Sequence, residues 1–334
     1  MPKRSPTQQL DQAISAVLAS LQTSAKPAHA SASGNISKLA ALVLPLRALP
    51  RPEFKAALKS DLQRRISMNE ATATSKSTQF RRANFPNIAP YFLVHNAPAF
   101  IDFLLAAFEG TERIRVPRPD GSIMHAEVAI GNSVIEMGDA NEQYPQRPMT
   151  THLYVPDARA TYARALQAGA TPIFAPTDEH PSGDLWGAAK DQFGNTWYIA
   201  TRKSQVPGPE GVLTVQPYLH LRDAHKMIPF IEAGLAAHTT GLHKSPQGIV
   251  QHATIEIAGA TFEIDEAQGD VQPTQSYLHV YVPDTDALYA QALRVGATSI
   301  QAPYTAPYGD RAAGITDPFG NIWFLATYLG EPKP

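Results

Sequence analysis

Hydrophobic and polar residues alternate along two long stretches of the chain, and helical spacing interrupts the alternation at matching points. In the first stretch, IAPYFLV predicts a strand, PAFIDFLLAAF predicts a helix, and three further strands follow in RIRVPRP, MHAEVAI and SVIEM. THLYVPD, ATYARALQAGA and TWYIATR then predict the opening strand, the helix and the last strand of a second set. This stretch therefore predicts two βαβββ units in succession.

The same pattern occurs again further along the chain. Pro90 and Pro217 are 127 positions apart, as are His152 and His279, while Asp191 and Asp317 in the closing motifs DQFGN and DPFGN are 126 apart. A nearly constant spacing is typical of a duplicated domain, so we expect four βαβββ units. The expected boundaries are a first domain over 84–203, a linker over 204–212 and a second domain over 213–331.

The segment before these domains is different. Leu10, Ile14 and Leu21 share one face at helical spacing after a helix start at Ser5 and Pro6. We expect a helical N-terminal segment over 1–75 and a linker over 76–83. Two interpretations stay open: a small appendage docked on the body, or a module that binds a partner.

Composition excludes several functions. The net charge of −2 lacks the basic surplus of a nucleic-acid-binding protein, so we expect no nucleic-acid partner. The chain has no cysteine, which excludes disulfides, cysteine metal sites and a thiol nucleophile. No run approaches the roughly 18–20 apolar residues of a membrane span, and Ser15 and Ser20 interrupt the N-terminal apolar run. We therefore expect a cytoplasmic protein without a membrane partner.

Several motifs together resemble the vicinal oxygen chelate superfamily of glyoxalases, bleomycin-resistance proteins and ring-cleaving dioxygenases. They are the pairs HLYVPD and HVYVPD, AGAT and VGAT, and DQFGN and DPFGN. In both members of the last pair, a tryptophan follows two residues after the asparagine. The resemblance covers about 84–203 and 213–330 and is nearest to the PhnB-like branch. It implies an α+β fold in which paired βαβββ modules curl their sheets into an open groove with the helices outside.

The resemblance also implies where a metal would bind. Metal enzymes of this superfamily hold one divalent ion through ligands on the first, fourth, fifth and eighth strands. Those positions carry over to Ala89, Glu136, Thr150 and Tyr198 in the first domain, and to Gln216, Glu263, Tyr277 and Phe324 in the second. Only the two glutamates match clearly, with Gln216 as a further ligand, so the implied ligand set is incomplete.

Alternation along the strands places other polar groups on the same face as these positions. A shifted site for Zn, Ni, Mn or Fe in the second domain would use His220, His252, Glu263 and His279. The first domain offers His125, Glu127, Glu136 and His152, but has Leu93 where the second has His220. The catalytic candidates are Glu263, His279, Glu136 and His152. The alternatives are that each histidine forms a structural pair with a carboxylate, or that these pairs act as general bases.

All of these groups are expected to line a groove for a small molecule. The complete set of groove residues predicted from the sequence is Tyr91, His125, Glu127, Glu136, His152, Tyr154, Tyr198, Gln216, Tyr218, His220, His252, Glu256, Glu263, His279, Tyr281 and Phe324.

Three functional hypotheses follow. The incomplete ligand set favours small-molecule binding or a divergent activity, because an aromatic ring at the last ligand position suits stacking better than chelation. The alternatives are a metal-dependent glyoxalase-like or dioxygenase-like enzyme that uses the shifted site, and a ligand-sensing regulator with the N-terminal helices as a partner arm. We expect the two domains to pair within the chain, as a monomer or a homodimer.

Overall fold

The computed structural model describes residues 80–179, 183–203 and 212–330. The expected helical segment over 1–75, most of the two linkers and residue 331 lie outside the described residues. Within them, no helix is long and apolar enough to cross a membrane.

Four βαβββ units follow one another in the described chain. The first two, which we call the first repeat, contain β1 (Ile88–Val94), α1 (Ala97–Phe108), β2 (Thr111–Pro117), β3 (Ile123–Ile130), β4 (Ser133–Asp139), β5 (Thr150–Tyr154), α2 (Ala158–Gln167), β6 (Thr171–Thr177), β7 (Leu185–Lys190) and β8 (Thr196–Thr201). The second repeat contains β9 (Val215–Leu221), α3 (Ala224–Gly234), β10 (His238–Lys244), β11 (Val250–Ile257), β12 (Ala260–Glu266), β13 (Tyr277–Tyr281), α4 (Thr285–Arg294), β14 (Thr298–Thr305), β15 (Asp310–Thr316) and β16 (Ile322–Tyr328). The expected α+β fold is confirmed.

The units assemble into two eight-stranded sheets. Sheet I has the order β14-β15-β16-β13-β1-β4-β3-β2, and sheet II has the order β10-β11-β12-β9-β5-β8-β7-β6. Each sheet thus combines one unit from each repeat, joined by the antiparallel pairs β1–β13 and β5–β9. The metal candidates that the sequence groups by domain are therefore divided between the sheets, because the two units of each repeat belong to different sheets.

The hydrophobic cores follow the repeats instead. Phe92 of the first unit stacks on Trp197 of the second at 5.7 Å, and the core around them contains residues of α1, α2 and their strands. A second core around Phe262 and Trp323 belongs almost entirely to the second repeat. Each repeat therefore buries apolar surface between its own two units, while the polar faces of the sheets join side chains from different repeats.

Alternation positions the side chains as expected. On β3, Ala126, Val128 and Ile130 are buried in the core, which turns His125 and Glu127 to the opposite face. The turn before β16 is held by Asp317, whose carboxylate accepts from the backbone N–H groups of Phe319 and Asn321 and from Trp323 Nε1, each at 2.9 Å. The closing motif thus connects a tight turn to a core tryptophan.

Candidate functional site

The predicted groove residues fall into two sets, one on the polar face of each sheet. We call the polar face of sheet I groove I, which carries Tyr91, His125, Glu127, Glu136, His279, Tyr281 and Phe324. The polar face of sheet II is groove II, which carries His152, Tyr154, Tyr198, Gln216, Tyr218, His220, His252 and Glu263. Glu256 lies on β11 opposite Thr261, four residues after His252 and on the same face of the strand.

This distribution corrects both proposed metal sets. His279 lies on sheet I, so it does not join His220, His252 and Glu263 on sheet II. Likewise His152 lies on sheet II, away from the other three candidates of the first repeat. The resemblance places the fifth-strand ligands at Thr150 and Tyr277. The residues that contact Glu263 and Glu136 are instead His152 and His279, two residues further along the same face of those strands.

The centre of groove II is the buried carboxylate of Glu263. Its Oε2 lies 3.0 Å from His152 Nδ1, and its Oε1 accepts from the Tyr154 hydroxyl at 3.3 Å and lies 3.9 Å from His252 Nε2. Burial by itself raises the pKa of Glu263, but His152 and His252 outweigh it and hold that pKa well below its ordinary value. The same carboxylate raises the pKa of His252 against the effect of burial. Glu263 therefore stays ionised.

A second carboxylate–imidazole pair lies beside it on β12 and β9. His220 Nδ1 is 2.6 Å from Asp265 Oδ1, and the Tyr218 hydroxyl donates to Asp265 Oδ2 at 2.9 Å. Burial and the neighbouring Asp265 raise the pKa of Tyr218, so its hydroxyl stays a donor. An imidazole held in this way through Nδ1 has Nε2 left for a ligand. In groove I, the positions equivalent to His220 and Asp265 are occupied by Leu93 and Gly138, so this pair has no counterpart there.

Aromatic rings form one wall of groove II. Tyr198 stacks on Trp186 at 5.6 Å and 26°, and its ring centroid lies 5.9 Å from that of Tyr218 and 6.4 Å from that of His152. Gln216 faces His152 across the β5–β9 pair, and its side-chain oxygen accepts from Thr261. The position that the resemblance assigns to a glutamate ligand is therefore occupied by a ring that packs against other rings.

A cavity of about 1260 Å³ opens at one end of this wall. Thr150, Tyr198 and His220 line it from sheet II, and the two segments that cross between the sheets, after β4 and after β12, line it as well. Its charged lining residues are Arg147, Lys190, Arg222, Lys226, Asp223 and Asp270. Lys226 is paired with Asp223 at 3.2 Å. The other charged lining residues are three basic ones, Arg147, Lys190 and Arg222, and one acidic one, Asp270.

Groove I has a different centre. Glu127 and Glu136 are both buried, and a guanidinium nitrogen of Arg82 lies 2.7 Å from Glu127 Oε1 and 3.6 Å from Glu136 Oε1. Glu136 Oε1 also lies 2.9 Å from His279 Nδ1. Burial raises the pKa of Glu127, but His125 and Arg82 together hold it below its ordinary value. Tyr91 bonds His125 at 3.1 Å, and the Tyr91 ring contacts that of Phe324.

A divalent metal does not fit either centre as it stands. His125, Glu127 and Glu136 bring ligand atoms within 4.8 Å of one another, but Arg82 contacts both of these carboxylates. In groove II Tyr198 occupies the last ligand position. Among the described residues, no other group of three histidine, aspartate or glutamate side chains brings its ligand atoms this close. The shifted metal site is thus not assembled in this arrangement.

Sequence reasoning missed three residues of these centres. Arg82 lies in the expected 76–83 linker, and its only sequence signal is the basic pair RR shortly before the first strand. Asp265 follows Glu263 at a strand spacing of two, which is the signal that would have placed it on the same face. Trp186 lies on β7, a strand that no motif in the sequence marks, so nothing in the sequence indicated that it would stack on Tyr198 in the aromatic wall of groove II.

Comparisons with known proteins give a fold and a set of relatives. No protein-family model matches the sequence. Uncharacterized protein Mb0911c of Mycobacterium bovis is 36% identical over 128 residues, covering 34% of this chain and 82% of that protein. Uncharacterized protein Rv0887c of Mycobacterium tuberculosis is also 36% identical over 128 residues, with 73% of its length covered. Glyoxalase I from Zea mays matches in structure with a TM-score of 0.57 at 14% identity, over 72% of this chain and 92% of that one. The fold is thus of the glyoxalase type, as expected from the resemblance.

Proposed function

We propose that this chain, which belongs to the same family as the mycobacterial proteins Mb0911c and Rv0887c, binds a small anionic organic molecule in groove II. The observation that carries the proposal is the cavity of about 1260 Å³ that connects the Tyr198 ring, His220 and a basic rim. Assignment to the PhnB-like branch remains a prediction.

The chemistry of the lining supports this class of ligand. The Tyr198 ring lines the cavity and is backed by Trp186, and an aromatic face contacts a planar group at a favourable free energy of about 0.5–1.5 kcal/mol beyond area burial. Arg222 and Lys190 supply positive charge at the rim, which concentrates anions near the cavity. A small carboxylic acid with a carbonyl or an aromatic ring satisfies both features.

The test uses the intrinsic fluorescence of Trp186. The chain has three tryptophans, and Trp197 and Trp323 are fully buried in the cores. Trp186 stacks on Tyr198, which lines the cavity, so we expect a ligand against Tyr198 to change the emission of Trp186. We expect a panel of small 2-oxo acids and aromatic carboxylates to change the emission, and their neutral methyl esters to do so more weakly. Trp186→Phe is the control that must abolish the change. Equal responses to acids and esters would contradict an anion site, and no response across the panel would contradict the proposal.

A second candidate function is proton transfer to or from the bound molecule. The observation that favours it is the contact of 2.6 Å between Asp265 and His220, because a carboxylate that fixes one ring nitrogen leaves the other as an acid or base facing the ligand. The measurement is exchange of a ligand C–H proton with deuterated water. His220→Gln must abolish exchange while the Trp186 signal still reports binding.

The other two hypotheses have separate tests. Metal-dependent activity predicts bound metal in purified protein that depends on Glu263 or Glu136. The regulatory hypothesis concerns residues 1–75, outside the described range, and predicts that a truncation lacking 1–79 keeps ligand binding but loses a partner.

A further inference from the structure

Groove I contains two buried carboxylates that share one guanidinium. Glu127 and Glu136 have relative exposures of 0% and 2%, and Arg82 contacts an oxygen of each, at 2.7 and 3.6 Å. Two ionised carboxylates this close to each other are unfavourable in a buried site unless a positive charge compensates them. The guanidinium supplies that charge, and Arg113 approaches Glu127 Oε2 only to 4.0 Å.

The arginine is held in place by its own supporting contacts. Arg82 Nε donates to the Tyr281 hydroxyl at 2.8 Å, which in turn donates to Asp310 Oδ2 at 2.8 Å. The guanidinium also lies over the ring of Phe85, 4.4 Å from its centroid. The surrounding segment is anchored to β16, where Tyr328 N donates to Phe80 O. Arg82 therefore reaches groove I as a fixed part of the fold rather than as a surface side chain.

The groups around the guanidinium are of the types that bind divalent metals, and they lie close together. His125, Glu127 and Glu136 each offer one ligand atom, all within 4.8 Å of one another, and His279 adds an imidazole beside Glu136. Carboxylates and imidazoles in this combination suit Zn²⁺ or Mn²⁺. Glu127 Oε2 is buried without a hydrogen-bond partner, so the carboxylate has an acceptor that the present contacts do not use.

We propose that Arg82 takes the place of the divalent metal in groove I, which is thereby a latent metal site closed by the protein's own cation. While Arg82 is present, its guanidinium and a metal ion compete for the same two carboxylates, and the guanidinium is tethered. Replacing Arg82 with a neutral side chain leaves the carboxylates uncompensated and converts the site into a metal-binding one.

The second repeat supports this pairing of arginine with carboxylate. At positions 127 residues further along, the sequence has Pro209 in place of Arg82 and Thr254 in place of Glu127, while Glu263 corresponds to Glu136. The arginine and the additional glutamate are therefore present together in one repeat and absent together from the other. Among the described residues, the central glutamate of groove II is contacted by His152, His252 and the Tyr154 hydroxyl.

The experiment measures metal binding by full-length Arg82→Met, which keeps much of the side-chain volume and removes the charge. After incubation with ZnCl₂ or MnCl₂ and removal of free metal, mass spectrometry should find about one more equivalent of metal per chain than in wild type. Added metal should also raise the melting temperature of Arg82→Met more than that of wild type. Arg81→Met is the matched control, since Arg81 contacts only the backbone oxygen of Phe85 among the described contacts, and it should behave like wild type.

Two double variants locate the metal. Combining Arg82→Met with Glu136→Gln should remove the additional equivalent, whereas combining it with Glu263→Gln in groove II should leave it. If Arg82→Met does not fold without metal, added Zn²⁺ or Mn²⁺ must restore its melting transition. The proposal is overturned if Arg82→Met gains neither metal nor thermal stability from added metal. It is equally overturned if wild type already binds an equivalent that Glu127→Gln removes.

Discussion

His152 Nδ1 and Glu263 Oε2 lie 3.0 Å apart although 111 residues separate them in the chain. The corresponding pair in the other sheet, His279 Nδ1 and Glu136 Oε1, is 2.9 Å apart across 143 residues. Each pair joins the two repeats across the middle of a sheet. The repeats are thus held together at two equivalent places by an imidazole that contacts a buried carboxylate.

Removing one partner of such a pair should be costly. His152→Ala leaves the Glu263 carboxylate buried without its closest donor, so we expect a loss of about 3 kcal/mol in the free energy of unfolding. Urea denaturation of His152→Ala, Glu263→Gln and the double variant measures the loss and the coupling between the two residues. Additive effects of the two substitutions would contradict a direct interaction.

The Asp317 turn should be a second point of high sensitivity. Its carboxylate accepts from two backbone N–H groups, from Asn321 Nδ2 and from Trp323 Nε1. Asp317→Ala leaves three buried donors unpaired, two on Asn321 and one on Trp323. We expect a loss of at least about 3 kcal/mol by chemical denaturation, since each unpaired buried donor costs about 1 kcal/mol or more. Asp317→Asn, which keeps one acceptor oxygen, should lose less; an equal loss would show that charge rather than acceptor geometry matters.

Acid should destabilise the protein through Glu127. Its folded pKa lies below its ordinary value of about 4.3, because the contributions of His125 and Arg82 outweigh that of burial. The unfolded state then binds more protons, so this stability is present above the ordinary pKa and is lost as pH falls through the folded pKa. Melting temperatures between pH 6 and 3 should fall less steeply for Glu127→Gln than for wild type. The exposed Glu142→Gln is the control, and a wild-type slope in Glu127→Gln would contradict the assignment.

His252 should give the opposite pH dependence. Burial lowers its pKa, but Glu263 raises it above the ordinary value of about 6.5, so its contribution is complete below that value and is lost as pH rises through the folded pKa. His252→Gln should therefore destabilise more at pH 6 than at pH 9. The half-exposed side chain limits the difference to about 0.5 kcal/mol. His225→Gln on the exposed face of α3 should show no such difference in the same denaturation series.

Tyr198 should matter for ligand affinity more than for stability. Its ring connects Trp186 with the cavity, so Tyr198→Ala should weaken binding of a groove II ligand about tenfold, which corresponds to about 1.4 kcal/mol. Titration calorimetry with the best ligand of the fluorescence screen measures the change. Tyr304→Ala, an exposed tyrosine on sheet I, is the control; equal weakening in both variants would place the ligand elsewhere.

Local features of the fold follow directly from the residue pattern. The alternation in MHAEVAI predicts which side chains of β3 enter the core, and the structure has Ala126, Val128 and Ile130 there. The repeated motifs predict four βαβββ units, and the described chain has them. These features depend on neighbours within a few residues, for which backbone geometry sets the spacing.

The assembly of the site depends on the tertiary structure. Strand alternation shows that His279 and Glu263 face a groove, but it carries no information on which unit pairs with which. The β1–β13 and β5–β9 pairs place His279 beside Glu136 and His152 beside Glu263. Arg82 lies before the first strand, where no strand or helix pattern predicts which way its side chain points. Only the packing of its segment beside Tyr281 brings it to Glu127. The sequence thus determined the chemical groups and the faces they occupy, whereas long-range strand pairing decided which of them meet.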